Sequence, residues 1–150
     1  HNDVRRVGIA WSGRPTHVND LNRSVGLERF APFFKQPHQF HALQNEISLQ
    51  DRDRLARLGV AMHDQHLKDF SETAALIAEL DLVITVDTSV AHVAGAMGKP
   101  VWILLPFDSD FRWLLKRNDS PWYPSARLYR QAKPGDWSEV IERVAEDLSA

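Results

Sequence analysis

The chain has 150 residues, 43% of them hydrophobic and 25% charged, which is typical of one compact domain. Its 18 basic and 20 acidic residues leave a formal charge of −2, too little positive charge to favour a nucleic acid as partner. The lack of cysteine excludes a disulfide scaffold and a thiolate metal site. No apolar run reaches the roughly 20 residues that a transmembrane segment needs, so we expect a soluble protein.

Short segments rich in apolar and β-branched residues predict six strands. The first five are almost continuously apolar, as in parallel strands that are covered on both faces. The six segments are Val7 to Trp11, Phe40 to Leu43, Val60 to His63, Leu82 to Val86, Val101 to Leu105 and Ala126 to Arg130.

Helix signals lie between these strands. Asp69 with Glu72, and Asp136 with Glu139, have the spacing of capping boxes, which predicts two helix starts. Each start is followed by an apolar stripe that we expect to pack on the sheet. The two stripes are Thr73, Leu76, Ile77 and Leu80, and Val140, Ile141, Val144 and Leu148.

Glycines mark the ends of two further helices. Gly59 and Gly98 each lie just before a predicted strand, where a left-handed C-terminal cap is expected. The alternation of strand and helix predicts an α/β fold with a doubly wound, mainly parallel six-stranded sheet. Ligands of such sheets bind at the carboxyl ends of the strands.

The segment from Leu82 to Pro106 carries the strongest functional signal. Asp87, Thr88 and Ser89 lie where a buried strand ends and a helix begins, so free N–H groups and hydroxyls converge on a site for an anion. Asp87 would repel a phosphate, and we expect it to accept hydrogen bonds from sugar hydroxyls beside the phosphate. The alternative is that Asp87 or Ser89 only caps the helix.

His92 shares a helix face with Thr88, one turn earlier. We place it nearly opposite an apolar stripe, so it either donates to a phosphate oxygen or is an ordinary exposed histidine. The stripe consists of Val90, Val93, Ala94 and Met97.

The loop after the first predicted strand, from Ser12 to Ser24, is a second candidate for phosphate binding. Gly13 would let the backbone approach a ligand, and Arg14 and Arg23 can each grip two phosphate oxygens. The alternative is a solvated loop in which the arginines have no ligand.

Other kinds of site find less support. The chain has neither the glycine-rich dinucleotide fingerprint after its first strand nor a P-loop. Its seven histidines lack the helical spacing with an acidic partner that a zinc site needs, so we expect neither metal nor cofactor. Trp113, Trp122 and Tyr123 either stack on a base or sugar or, as is commoner, close the end of the sheet.

Several motifs together resemble family 9 of the glycosyltransferases, the heptosyltransferase-like group, in the version that closes bacterial proteins with tetratricopeptide repeats. The motifs are WSG at 11–13, NRS at 22–24, ALQ at 42–44, DFSETAALI at 69–77, VDTSVAHVAGAMGKPVW at 86–102 and DSPWYP at 119–124. The resemblance implies the GT-B arrangement, in which residues 1–150 form the C-terminal nucleotide-sugar domain. An N-terminal acceptor domain or a repeat array is then missing from this chain.

The resemblance also implies a site. Asp87 would lie near the donor sugar, Thr88 and Ser89 would form the diphosphate turn, and Arg23 and His92 would stabilise the departing nucleoside diphosphate without a metal. The catalytic base would come from the missing domain, so this fragment would bind without transferring. The full set of binding candidates is Ser12, Gly13, Arg14, Asn22, Arg23, Gln44, Met62, Asp69, Asp87, Thr88, Ser89 and His92.

One residue difference from heptosyltransferases bears on the donor, and three interpretations of the function are open. Heptosyltransferases have a lysine in the loop after the first strand, where this chain has Arg14 and Arg23, so ADP-heptose is not the expected donor. The first reading is a glycosyltransferase in the bacterial cytoplasm or at the inner membrane surface. The others are a non-catalytic module that binds a sugar, nucleotide or protein, and a sugar-nucleotide epimerase. Met62 and Asp64 are the expected base contacts by position.

Overall fold

The computed structural model describes residues 4–11, 27–44, 47–63, 69–86, 89–105, 125–131, 133 and 136–149. The strands are β1 (Arg6–Ala10), β2 (Gln39–Ala42), β3 (Ala61–Met62), β4 (Leu82–Val86), β5 (Val101–Leu105) and β6 (Ala126–Arg130). A 3₁₀ turn (Leu27–Phe30) leads into α1 (Ala31–Phe34), and the later helices are α2 (Leu49–Leu58), α3 (Phe70–Ala78), α4 (Ser89–Ala96) and α5 (Ser138–Ser149).

The six strands form one sheet in the order β3-β2-β1-β4-β5-β6, and every pair of neighbours is parallel. The chain runs outward from β1 to β3, returns to place β4 beside β1, and then continues to β6. The predicted parallel α/β fold is therefore confirmed. The strand order reverses between β1 and β4, and such a reversal opens a crevice at the carboxyl ends of the two strands.

The core has one layer on each face of the sheet. On β4, Ile84 and Val86 point into a cluster with Phe30, Phe33 and the buried face of α5, while Val83 points into a second cluster with α3 and α4. This alternation follows from the two-residue period of a strand. Both predicted helix stripes take part, since Ile77, Leu80 and all four residues of the α5 stripe are buried.

Helix ends largely follow the predictions. Asp69 begins α3 as its N-cap, because its Oδ1 accepts from the Glu72 N–H at 2.9 Å. Gly59 and Gly98 both have φ of 73°, as left-handed caps require.

The second capping box differs from its prediction. Asp136 accepts from the N–H of Ser138 at 3.1 Å, not from that of Glu139. The Glu139 carboxylate instead lies 3.5 Å from the Arg143 guanidinium, one turn along α5. An ion pair with Arg143 has therefore replaced the return hydrogen bond of the box.

The early part of the chain departs from the predicted elements. β1 and β2 each begin one residue earlier, and β3 contains Ala61 and Met62 instead of the four residues expected. The 3₁₀ turn, α1 and the start of α2 were not predicted. The sequence of α2 shows no apolar stripe, since this helix buries Leu55 alone. Within the described ranges, no helix is long and apolar enough to cross a bilayer.

Candidate functional site

The candidate site lies where β1 and β4 end side by side. Ala10 is in register with Thr85, so the chain leaves both strands at the same edge of the sheet. After β4 the chain enters α4 at Ser89, which brings the N-terminus of α4 to this edge. A helix N-terminus carries free N–H groups and a partial positive charge that favour an anion.

Small residues on α4 allow it to pack closely. Ala91 and Ala94 are fully buried and Val90 is nearly so, in the cluster that also contains residues of α3 and β5. Met97, which the sequence placed in the apolar stripe, is 40% exposed and does not belong to it. The buried face is centred on alanine because larger side chains would push the helix away from the sheet.

His92 lies in the middle of α4 and is partly buried. It is therefore less exposed than the ordinary exposed histidine of the alternative interpretation. Its proposed contact with phosphate remains a prediction.

Trp11, the first residue after β1, is fixed by two long-range hydrogen bonds. Its backbone N–H donates to Gln44 Oε1 at 2.9 Å, and its indole Nε1–H donates to Asp51 Oδ2 at 3.2 Å. Trp11 and Gln44 are only 3% and 8% exposed, so the first bond is shielded from water. Trp11, which precedes the candidate phosphate-binding segment 12–24, therefore has a defined position beside the sheet.

The bond to Gln44 ends the hydrogen-bond ladder between β1 and β2. Leu43 N–H still donates to the Ile9 carbonyl at 2.8 Å, as in a regular parallel pair. At Trp11 the acceptor is a side chain in place of a β2 carbonyl, which lets the chain leave the sheet without an unpaired buried N–H. Sequence reasoning proposed Gln44 as a ligand contact and missed this role, together with Trp11 and Asp51.

Replacing Gln44 with Leu should leave the buried Trp11 N–H without an acceptor. We expect the free energy of unfolding to fall by about 1–3 kcal/mol, the usual cost of an unsatisfied buried donor. Urea unfolding monitored by circular dichroism measures this. Gln39→Leu, at an exposed position at the start of β2, is the control and should change stability by less than about 0.5 kcal/mol. Equal losses in the two variants would contradict the assignment.

Three of the remaining candidate residues lie in the part of the chain that the structure describes, and the others lie outside it. Met62 ends β3 at the carboxyl edge and packs partly buried against the core, while Asp69 is occupied as the cap of α3. Ser89 opens α4, and nothing is described of its side chain. The candidates outside the described residues are Ser12, Gly13, Arg14, Asn22, Arg23, Asp64, Asp87, Thr88, Trp113, Trp122 and Tyr123.

A separate polar cluster fastens α5 to the edge strand β6, away from the crevice. The Tyr129 hydroxyl donates to Asp147 Oδ2 at 2.6 Å, and Arg127 lies 3.1 Å from the same carboxylate oxygen. Burial, reinforced by the bond to Asp147, raises the pKa of the Tyr129 hydroxyl well above its usual value. Tyr129 therefore stays neutral and serves packing. In the part of the chain that is described, no group of three or more His, Asp or Glu residues could hold a metal ion.

Comparison with known proteins supports the resemblance seen in the sequence. Residues 68–105 match the sequence model of glycosyltransferase family 9 (heptosyltransferase). The chain is also similar to Protein FlbA of Caulobacter vibrioides, with 38% identity over 153 residues. That alignment covers 95% of this chain and 25% of the relative, so the chain spans about a quarter of the length of that protein. The family resemblance is thus confirmed over residues 68–105, and the resemblance to tetratricopeptide-repeat proteins stays a prediction.

Proposed function

We propose that this domain binds the diphosphate of a nucleotide-sugar at the carboxyl ends of β1 and β4, as the donor half of a metal-independent glycosyltransferase. One observation carries the proposal: the family match over residues 68–105 spans α3, β4, α4 and β5, which include the β4 side of the crevice and the helix that begins there. The part of the chain most like a glycosyltransferase is therefore the part that brings a helix N-terminus to the point where the strand order reverses.

Charge development explains why such a site would assist transfer. When the bond between the sugar and the diphosphate breaks, its electron pair stays on the departing phosphate oxygen. Groups that donate to that oxygen stabilise the transition state more than the ground state. The N-terminus of α4 together with Thr88, Ser89, His92 and Arg23 would supply them.

The other roles are assigned by chemistry. The Asp87 carboxylate would accept hydrogen bonds from the hydroxyls of the donor sugar, and Met62 would contact the base. A base that activates the acceptor hydroxyl would come from a second domain beyond this chain. The isolated domain would then bind its donor without turning it over.

A thermal-shift screen of nucleoside diphosphates and nucleotide-sugars tests the proposal. At least one base should raise the melting temperature, because a ligand that binds only the folded state stabilises it by mass action. The shift should persist with EDTA, and ADP-heptose should not exceed other nucleotide-sugars. A chain stabilised by free sugars alone would instead be a sugar-binding module. If no nucleotide stabilises it, the proposal fails.

A further inference from the structure

Two histidines near the carboxyl end of the β2–β3 pair face each other through their ring nitrogens. His41 Nδ1 lies 3.1 Å from His63 Nε2, and the ring planes differ by 18°. The ring centres are 5.3 Å apart, about the nitrogen–nitrogen distance plus one ring radius on each side. The rings therefore meet edge to edge in nearly one plane, with one hydrogen shared between the two nitrogens.

The surroundings of His41 fix which nitrogen carries that hydrogen. Its Nε2 is buried and has no hydrogen-bond partner among the described residues. A buried N–H without an acceptor is rarer in proteins than a buried acceptor without a donor. The proton of neutral His41 thus belongs on Nδ1, which donates to His63 Nε2, and His63 carries its own proton on Nδ1.

This arrangement leaves no favourable position for an added proton. One free position is His41 Nε2, where a charged ring would bury an N–H without a partner. The other is His63 Nε2, whose protonation would break the hydrogen bond between the rings unless the His41 proton moved to its own unpartnered Nε2. Each route therefore costs either a buried N–H without an acceptor or the contact itself.

We propose that His41 and His63 form a proton-sensitive clamp that holds the edge strand β3 against β2 at neutral pH and releases it in mild acid. β3 has two residues and, among the described strands, pairs only with β2, through Ala61 opposite His41 and Met62 opposite Ala42. So short an edge strand depends on contacts beside the ladder, and its opening need not unfold the sheet. The clamp thus adds a response to pH in the strand that also carries Met62, the proposed contact to the base.

Charges on the neighbouring elements act on the clamp in both directions. Burial lowers the pKa of His41 below its usual value, His63 and Arg6 of β1 lower it further, and Glu79 at the end of α3 opposes them. A histidine with a lowered pKa in the folded state stabilises that state above pH of about 6.5 and loses its contribution as the pH falls below that value. The clamp therefore opens on the acid side.

A metal ion bridging the two rings fits this geometry poorly. The ring nitrogens of a zinc site lie about 2.0–2.1 Å from the ion and direct their lone pairs at it from tetrahedral directions. Here the two nitrogens point at each other along the line between the rings. A shared hydrogen fits between them, whereas an ion would have to push the rings apart.

Nuclear magnetic resonance can test the clamp at two levels. In protein labelled with ¹⁵N-histidine, His41 should be the Nδ1–H tautomer at pH 7.5 and resist protonation below its usual pKa. Hydrogen exchange, corrected for intrinsic rates, should show protection of the β3 amides falling by about tenfold between pH 7.5 and 5.5, as expected when one proton is taken up on opening. The amides of β4 are the internal control and should change far less.

The double variant His41→Gln/His63→Gln separates the clamp from a general effect of acid. Two amide side chains can form one hydrogen bond at any pH, so the β3 amides should keep their protection at pH 5.5. The proposal is overturned if His41 is the Nε2–H tautomer, if β3 protection is independent of pH, or if the double variant loses protection like the original protein. Should the double variant not fold, the tautomer and the exchange of the unaltered protein still decide.

Discussion

Replacing Phe30 with Ala is expected to lower the free energy of unfolding by about 3–5 kcal/mol, because it removes a large side chain from a packed core. Phe30 ends the 3₁₀ turn with 0% exposure, and its ring centre lies 4.9 Å from that of Phe33. The same cluster contains the buried face of α5. The cavity would therefore weaken the contact of Phe30 with Phe33 and the packing of this region against α5. Urea unfolding followed by circular dichroism gives the free energy directly.

Two further variants keep this result interpretable. Phe34→Ala removes the same side chain from a partly exposed position one turn later, and its cost should be clearly smaller. Phe30→Leu refills most of the cavity and should recover more than half of the loss. Similar losses for Phe30→Ala and Phe34→Ala would mean that the 3₁₀ turn is not part of the core.

The central strands could be predicted from the sequence because their signals are local. β4, β5 and β6 have the predicted limits, and β4 and β5 are apolar because they are covered on both faces. Helix ends with side-chain caps or glycine were equally legible, as Asp69 and Gly98 illustrate. At these strands and helix ends, the residues that determine the structure all lie within one short segment.

The early elements could not be predicted because their causes are spread along the chain. α2 has a good cap at Ser48 but a polar sequence, and the 3₁₀ turn depends on the fit of Phe30 and Phe33 against α5. The limits of β3 are set by its pairing with β2, through Ala61 and Met62, and not by its own sequence.

The candidate site also has some features that could be predicted from local sequence and others that could not. The helix N-terminus after β4 was visible as a pattern of residue types, whereas the hydrogen bonds of Trp11 join residues that are 33 and 40 positions apart. The pairing of His41 with His63 likewise depends on the register of β2 and β3, which no local pattern specifies. Long-range polar contacts of this kind become visible only when the strands are placed.

The proposed site makes a second prediction, in which His92 and Asp87 serve different parts of one ligand. Replacing His92 with Ala removes a donor to the diphosphate, so nucleoside diphosphate and nucleotide-sugar should both bind more weakly. The loss should be about 1.5–3 kcal/mol if the hydrogen bond is to a charged phosphate oxygen. Calorimetric titration of the variant with both ligands, once circular dichroism confirms that it is folded, measures the two losses.

Replacing Asp87 with Asn should instead affect the two ligands differently. The change keeps the shape of the side chain but removes its charge, so the nucleotide-sugar loses a hydrogen-bond acceptor while the bare diphosphate loses a repulsive neighbour. The sugar nucleotide should bind more weakly, and the diphosphate should bind equally well or slightly better. Asp81→Asn is the matched control, because Asp81 precedes β4 at the opposite edge of the sheet and should leave both affinities unchanged. Equal losses for both ligands in Asp87→Asn would mean that Asp87 only caps α4.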